Sequence, residues 1–300
     1  MSEREAHRET PTAGEPGTVA VTVADSLGAR PTYKPNLAGE APKLRVQNLH
    51  VTYRNREGAD IEAVRGVSFD VVDRPGSGEI VVFLGPSGCG KSTILKAVAG
   101  LIVPTEGEVL LDGQPVVDVS RDRGMVFQTY TSFGWLTVRQ NVEYGLRMRG
   151  VDANECRQQS DKYLKAVGLA EFADRYPKDL SGGMKQRVAI ASTLINKPRV
   201  VLMDEPFGAL DPQTRWGMQS LLLDISTAED HAILFVTHDV SEAVYLAETV
   251  YVMTPRPARI LHRVDVPAFA RRDIALKSSA EFRAVEKQLL DLLYTSAPSP

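Results

Sequence analysis

Cysteine is scarce in this 300-residue sequence, which holds only Cys89 and Cys156. They lie in segments that read as different elements, so no disulfide scaffold is indicated and a reducing cytosol fits. Long apolar runs are missing as well. The longest, such as those at residues 80–84 and 232–236, are five residues each, whereas a membrane-spanning helix needs about 20. The chain is not expected to cross a bilayer by itself. Nor does one sign of charge dominate: 35 Lys plus Arg against 38 Asp plus Glu leave a net charge of −3. That gives no overall field to recruit nucleic acid or an anionic membrane. The opening residues, MSEREAHRETPTAGEPG, have no apolar core, so no secretory signal is expected. Together these absences predict a soluble cytoplasmic protein. What is present is globular in composition, 43% hydrophobic and 24% charged, which excludes chain-wide disorder and fibrous repeats.

Residues 1–42 carry Pro11, Pro16, Pro31, Pro35 and Pro42 among scattered glycines and are expected to form a disordered arm. From Leu44 the pattern turns strand-like. Leu44, Val46, Leu49, Val51 and Tyr53 run to a turn at 54–60, and Val67, Phe69 and Val71 alternate beyond it. This predicts antiparallel sheet with one buried face. Residues 80–84, 200–203, 233–236 and 250–253 are instead continuously apolar, as expected of parallel strands covered on both faces. With helical stretches between them, the fold class is α/β and doubly wound. Residues 109–116, with Asp112-Gly113, read as a hairpin returning to the antiparallel layer. Residues from about 136 to 180 are polar and helical in period, which predicts a small inserted helical subdomain. Near the C-terminus, Phe282, Val285, Leu289 and Leu292 recur at helical spacing, predicting a helix whose apolar face docks on the core rather than on lipid.

Three motifs carry chemistry. Gly85-Pro-Ser-Gly-Cys-Gly-Lys91-Ser92-Thr93 follows a buried strand and opens a helix, the context a phosphate-binding P-loop requires. Its backbone, from Gly85, Pro86, Ser87, Gly88, Cys89 and Gly90, can turn N–H groups onto phosphate oxygens. Lys91 is expected to neutralise the β- and γ-phosphates, Thr93 to bond the α-phosphate and Ser92 to ligate Mg²⁺. Cys89 is read as supplying backbone rather than a nucleophile. Second, Val200-Val-Leu-Met-Asp204-Glu205 is a buried strand ending in two carboxylates. Asp204 is placed to hold Mg²⁺ and Glu205 to polarise the water that attacks the γ-phosphate. The alternative is a strand terminated by solvated acids. Third, Leu180-Ser-Gly-Gly-Met-Lys-Gln-Arg187 starts a helix at Ser181, with glycine donors and an apolar face at Met184, Val188, Ala191 and Ile195.

That third motif, shortly before a strand ending Asp-Glu, resembles the signature of ABC-type ATPases, and the resemblance covers about residues 44–265. It implies a P-loop NTPase core with a parallel sheet, an antiparallel β subdomain and an inserted helical subdomain. It further implies that Ser181, Gly182, Gly183 and Gln186 complete the ATP site of a second copy, so that two chains sandwich two nucleotides head to tail. By the same resemblance Tyr53 stacks on adenine, Gln128 senses the γ-phosphate through Mg²⁺ or water, Asp211 closes the dimer-contact loop and His238 meets the γ-phosphate. Gly208 stands where many members have Ser.

A lone cassette without a membrane domain is similar to importer ATPases. The segments around 127–138, 203–211, 236–244 and 253–260 resemble the nitrate/sulfonate/taurine group, which often has Pro-Trp where this chain has Gly134-Trp135. The resemblance implies ATP and Mg²⁺ as cofactors. It implies as partners a second copy, integral membrane permease subunits and, indirectly, a solute-binding protein, with no nucleic acid. The location implied is peripheral on the cytoplasmic face of the cell membrane. A soluble or regulatory ABC ATPase without a permease, or an importer ATPase for another small solute, are the alternatives. The expected division is an arm at 1–42, an ATPase domain at 43–265 and a short helical extension at 266–300.

Overall fold

The computed structural model describes residues 42–295 except 56, 73–77, 209, 229–230 and 270–271. The arm at residues 1–41 lies outside the described residues, and Pro42 already belongs to the first strand. β1 (Pro42–Arg54) and β2 (Asp60–Val72) pair antiparallel, with β4 (Glu106–Leu111) and β5 (Gln114–Pro115) on the other side of β1. The parity of the buried side chains breaks in β1, from Leu44 and Val46 to Leu49 and Val51. The break is a bulge: the pairing register shifts between Val46 and Leu49, and Asn48 adopts φ 46°. One extra residue re-aims the rest of the strand inward. The β4–β5 turn is the expected Asp-Gly hairpin, with Asp112 at φ 50° and Gly113 at φ 73°.

The second sheet runs in the order β10-β9-β3-β8-β7-β6. Here β3 is Glu79–Leu84, β6 Arg123–Val126, β7 Val200–Asp204, β8 Ala232–Thr237, β9 Thr249–Met253 and β10 Ile260–Asp265. All four continuously apolar runs are therefore strands, and β3, β6, β7, β8 and β9 are parallel. Their neighbouring residues serve different cores. Ile80, Val82 and Leu84 of β3 join one cluster, while Val81 and Phe83 join the other. Each such side chain withdrawn from water contributes about 1.5–3 kcal/mol, which is why the pattern is continuous rather than alternating.

The second cluster holds α1 (Lys91–Ala99) and the antiparallel sheet against one face. Phe69 and Phe83, with ring centroids 5.0 Å apart, join the two sheets there. The other face carries α2 (Val138–Met148), α3 (Ala153–Ala166), α4 (Gly182–Leu194), α5 (Pro212–Ala228), α6 (Val240–Leu246) and α7 (Ala280–Thr295). α2 starts on a capping box of Thr137 and Gln140, and Asp152 caps α3. Phe282, Val285 and Leu289 of α7 are buried in this core with Leu292 packed beside them, so the helix docks as its spacing predicts. Among the described residues no helix is long and apolar enough to cross a membrane.

Candidate functional site

Strands β3, β8 and β7 are neighbours running the same way, so their C-terminal ends share one edge. That topology brings the first two motifs and the histidine together. The loop from Gly85 to Gly90 leaves β3 and turns into α1, which starts at Lys91, with Thr93 and Ile94 N–H both donating to Gly90 O. Gly90 adopts φ 125°, and a Cβ there would lie 2.5 Å from Ala63 O and 2.9 Å from Ala258 Cβ. Only glycine fits this approach. The Lys91 ammonium, 3% exposed, donates to Gly85 O at 2.8 Å and to Pro86 O at 2.9 Å. Cys89 is also buried, with Sγ 3.9 Å from Lys91 Nζ, a placement suited to loop packing rather than to attack on a substrate.

At the end of β7 the Ser92 hydroxyl donates to Asp204 Oδ1 at 2.7 Å. Burial pushes the Asp204 carboxyl above its ordinary range, opposed by that hydrogen bond. Glu205 sits at φ 43°, its N–H donating to Val236 O at 3.1 Å. Its Oε1 is 4.0 Å from Lys91 Nζ and its Oε2 is 3.1 Å from His238 Nδ1. His238 follows β8 directly and is half exposed. Tyr53, at the end of β1, places its hydroxyl 3.4 Å from Thr93 Oγ1.

A cleft of about 290 Å³ opens over this edge, lined by Tyr53, Asn55, Ile61, Ala63, Gly88, Gly90, Lys91, Ser92, Thr93, Glu205 and Arg256. Asn55 and Ile61 carried no motif in the sequence, and Arg256 lies in the 253–260 segment of the importer resemblance, which assigned it no role. A smaller cleft beside His238 is lined in part by Arg215, Asp239 and Glu242. Burial raises the Glu242 carboxyl above its ordinary range, and Gln219 Nε2 donates to it at 3.0 Å.

The remaining candidates stand elsewhere. Gln128, two residues past β6, is exposed and outside the cleft lining. Ser181 is exposed and caps α4 by accepting from Met184 N–H at 3.3 Å. Gly183 is buried against Thr214. Gln186 is buried, and its side-chain oxygen and nitrogen have no hydrogen-bond partner among the described residues. Asp211 accepts from Thr214 N–H at 3.0 Å, and its hydrogen bonds with Thr214 hold its carboxyl below the ordinary range. None of these residues lines the cleft over the phosphate loop of its own chain.

A glycine loop wound around a buried lysine at the edge of a parallel sheet defines the class, a P-loop nucleotide-binding protein. Comparison with known proteins narrows it. The ABC transporter family matches residues 64–208. An ABC transporter ATP-binding protein of Methanocaldococcus jannaschii is 47% identical over 251 residues, covering 84% of this chain and 91% of that one. The nitrate import ATP-binding protein of Synechocystis sp. is 43% identical, covering 83% and 94%. A taurine import ATP-binding protein of Jannaschia sp. is 41% identical, covering 84% and 94%. Among solved structures, a dimeric ATP-binding cassette in a post-hydrolysis state with ADP and Pi superposes with TM-score 0.66 at 32% identity, covering 75% of this chain and 100% of that one. The chain belongs to the ABC transporter family and is an ATP-binding cassette of the ABC ATPase type. The resemblance to the nitrate and taurine importer group is borne out by these relatives.

Proposed function

We propose that this chain is the ATP-hydrolysing subunit of an importer, acting as a head-to-tail pair on separate membrane permease subunits at the cytoplasmic face of the membrane. A solute-binding protein would deliver the cargo, and nitrate, sulfonate or taurine-like anions are the class its relatives' names favour. The observation that carries the reading is the cluster of Lys91, Glu205 and His238 at the shared C-terminal edge of β3, β7 and β8, beside the Ser92–Asp204 pair.

In this reading Tyr53 stacks on adenine, and the backbone of Gly85, Pro86, Ser87, Gly88, Cys89 and Gly90 cradles the phosphates. Lys91 exchanges its two carbonyl acceptors for β- and γ-phosphate oxygens, and Thr93 bonds the α-phosphate. The Ser92 hydroxyl and Asp204 carboxylate are hard oxygen donors already in contact. That set suits Mg²⁺, which keeps several waters and shares phosphate oxygens. Ser92, Asp204 and Gln128 would hold the ion, which supplies charge neutralisation at the phosphates. Glu205 orients the attacking water and accepts its proton, and His238 steadies the γ-phosphate. Ser181, Gly182, Gly183, Gln186 and Asp211 serve the site of the second copy. Closure of the pair on ATP and reopening after hydrolysis would drive the permease between its two orientations.

The transport reading is tested by purifying the tagged full chain from membranes. Hydrophobic subunits that copurify, and that take up a candidate anion in vesicles only with ATP, support it. An ATPase that copurifies with no membrane subunit overturns it in favour of a soluble or regulatory role.

A further inference from the structure

The segment between β9 and β10 has no part in the mechanism above, yet it is built tightly against the phosphate loop. Thr254 N–H donates to Arg259 O at 3.0 Å, Arg259 N–H donates to Thr254 Oγ1 at 2.9 Å, and that hydroxyl donates to Pro257 O at 2.8 Å. The turn is then tied to β2 on both sides of one residue: Ala258 N–H donates to Ala63 O at 2.9 Å, and Arg65 N–H donates to Ala258 O at 3.0 Å. These are the same Ala63 and Ala258 that leave no room for a Cβ at Gly90. A turn closed on itself and stitched to the strand beneath the loop holds an exposed side chain in a fixed place.

That side chain is Arg256. Its Nη2 donates to Gly88 O at 3.1 Å, and the residue lines the cleft over the phosphate loop together with Tyr53, Thr93 and Lys91. Among the described residues this is its one hydrogen bond, so a guanidinium with five donors keeps most of them for something else. Lys91, the other cation of the cleft, is spent on Gly85 O and Pro86 O in the same structure.

We propose that Arg256 is a second cationic determinant of nucleotide affinity: it anchors the phosphate loop through the Gly88 carbonyl and sets its charge against the polyphosphate in the cleft. The inference rests on the reading of that cleft as the ATP site. Arg256 acts on binding and not on the chemical step, because the hydrolytic groups, Glu205 and His238, are held by other partners. Its influence grows with the number of phosphates and is absent for the nucleoside.

The test is calorimetric titration of the full-length wild type, R256Q and R256K with ATP, ADP and adenosine, alongside steady-state ATPase assays and melting curves. In R256Q, ATP affinity falls about tenfold, the scale of one charge-assisted hydrogen bond at a wet site. The expected loss is smaller for ADP and nil for adenosine, with KM raised and kcat at saturation within about twofold of wild type. R256K, which keeps the charge, lies closer to wild type. Equal losses for ATP and adenosine, R256K as weak as R256Q, or a fall in kcat with unchanged KM each overturn the proposal, as does unchanged ATP affinity in both variants. If R256Q melts below the assay temperature, R256A, titrated below its own melting temperature, takes its place in the same comparison of ATP, ADP and adenosine. A wild-type chain with no affinity for ATP overturns the ATP reading itself, and this inference with it.

Discussion

The two halves of the nucleotide machinery are built differently. The phosphate loop exposes Pro86, Ser87 and Gly88 but is anchored inward: Lys91 is wrapped by two loop carbonyls, Ser92 is bonded to Asp204, and Gly90 is pressed between Ala63 and Ala258. The signature segment presents Ser181 outward, exposed and bonded within its own turn, while Gly183 and Gln186 behind it are buried. The first half is held by contacts inside one chain. The second has a formed helix start but no target in its own chain, because no signature residue lines the cleft. A half that is ordered yet faces away from the chemistry makes physical sense if its target is carried by another copy.

The largest expected effect tests the first half. Glu205→Gln keeps the size of the side chain and its place beside Lys91 and His238, while removing the base. Turnover should fall about 10²–10⁴-fold with ATP binding retained, measured by phosphate release and by titration. Near-normal hydrolysis would remove Glu205 from the role of base.

A variant of the second half sharpens the contrast. Ser181→Arg puts a bulky cation on the outward surface and should lower hydrolysis on the order of 10²-fold, the scale of losing a transition-state donor, without changing ATP affinity of the single chain. Mixing the two variants is the decisive version. In a head-to-tail pair of one Glu205→Gln chain and one Ser181→Arg chain, one site carries both lesions and the other carries neither. Mixed samples should therefore regain activity that neither variant has alone. No recovery on mixing would break the assignment of the two halves to different copies.

The third effect concerns stability. Because burial raises the Asp204 carboxyl in the folded chain, the folded state binds a proton more readily than the unfolded one. Its stability without nucleotide then falls as pH rises from the ordinary carboxylate range through the raised value. Asp204→Asn removes that cost and keeps a partner for Ser92, so the nucleotide-free melting temperature at neutral pH should rise by about 2–4 °C while Mg²⁺-dependent hydrolysis is lost. A melting temperature that falls would show that the buried carboxylate is net stabilising. No comparable gain is expected from Asp211, which is held ionised at the surface by Thr214.

The same contrast governs what the sequence reveals. The phosphate loop is legible because its chemistry is local: a run of apolar residues, then glycines, then Lys91, each dictated by its immediate neighbours. Buried strands are legible because covering on both faces leaves no polar position. β6 is not, since Arg123, Gly124 and Met125 are only half-buried and the strand is four residues long. The parity break at Asn48 is invisible without the register of β2. Arg256 is missed for a different reason, as its place at Gly88 depends on contacts 168 residues apart in the chain. Pattern reading finds groups that act where they stand in sequence and passes over those brought in by the fold.

The smallest effect falls at the rim of the first half. Tyr53 is 39% exposed, with its hydroxyl 3.4 Å from Thr93 Oγ1 in the first turn of α1. Unlike Lys91, its side chain is not enclosed by the loop, so its loss should leave the phosphate end intact. A base stacked on its ring would contribute about 0.5–1.5 kcal/mol beyond area burial. Tyr53→Ala should accordingly weaken ATP about two- to tenfold, with kcat at saturating ATP unchanged, and Tyr53→Trp should restore affinity because the ring rather than the hydroxyl does the stacking. If Tyr53→Phe is as weak as Tyr53→Ala, the hydroxyl contact to Thr93 is what matters. The rim would then belong to the stitched interior of the loop rather than to an open face for the base.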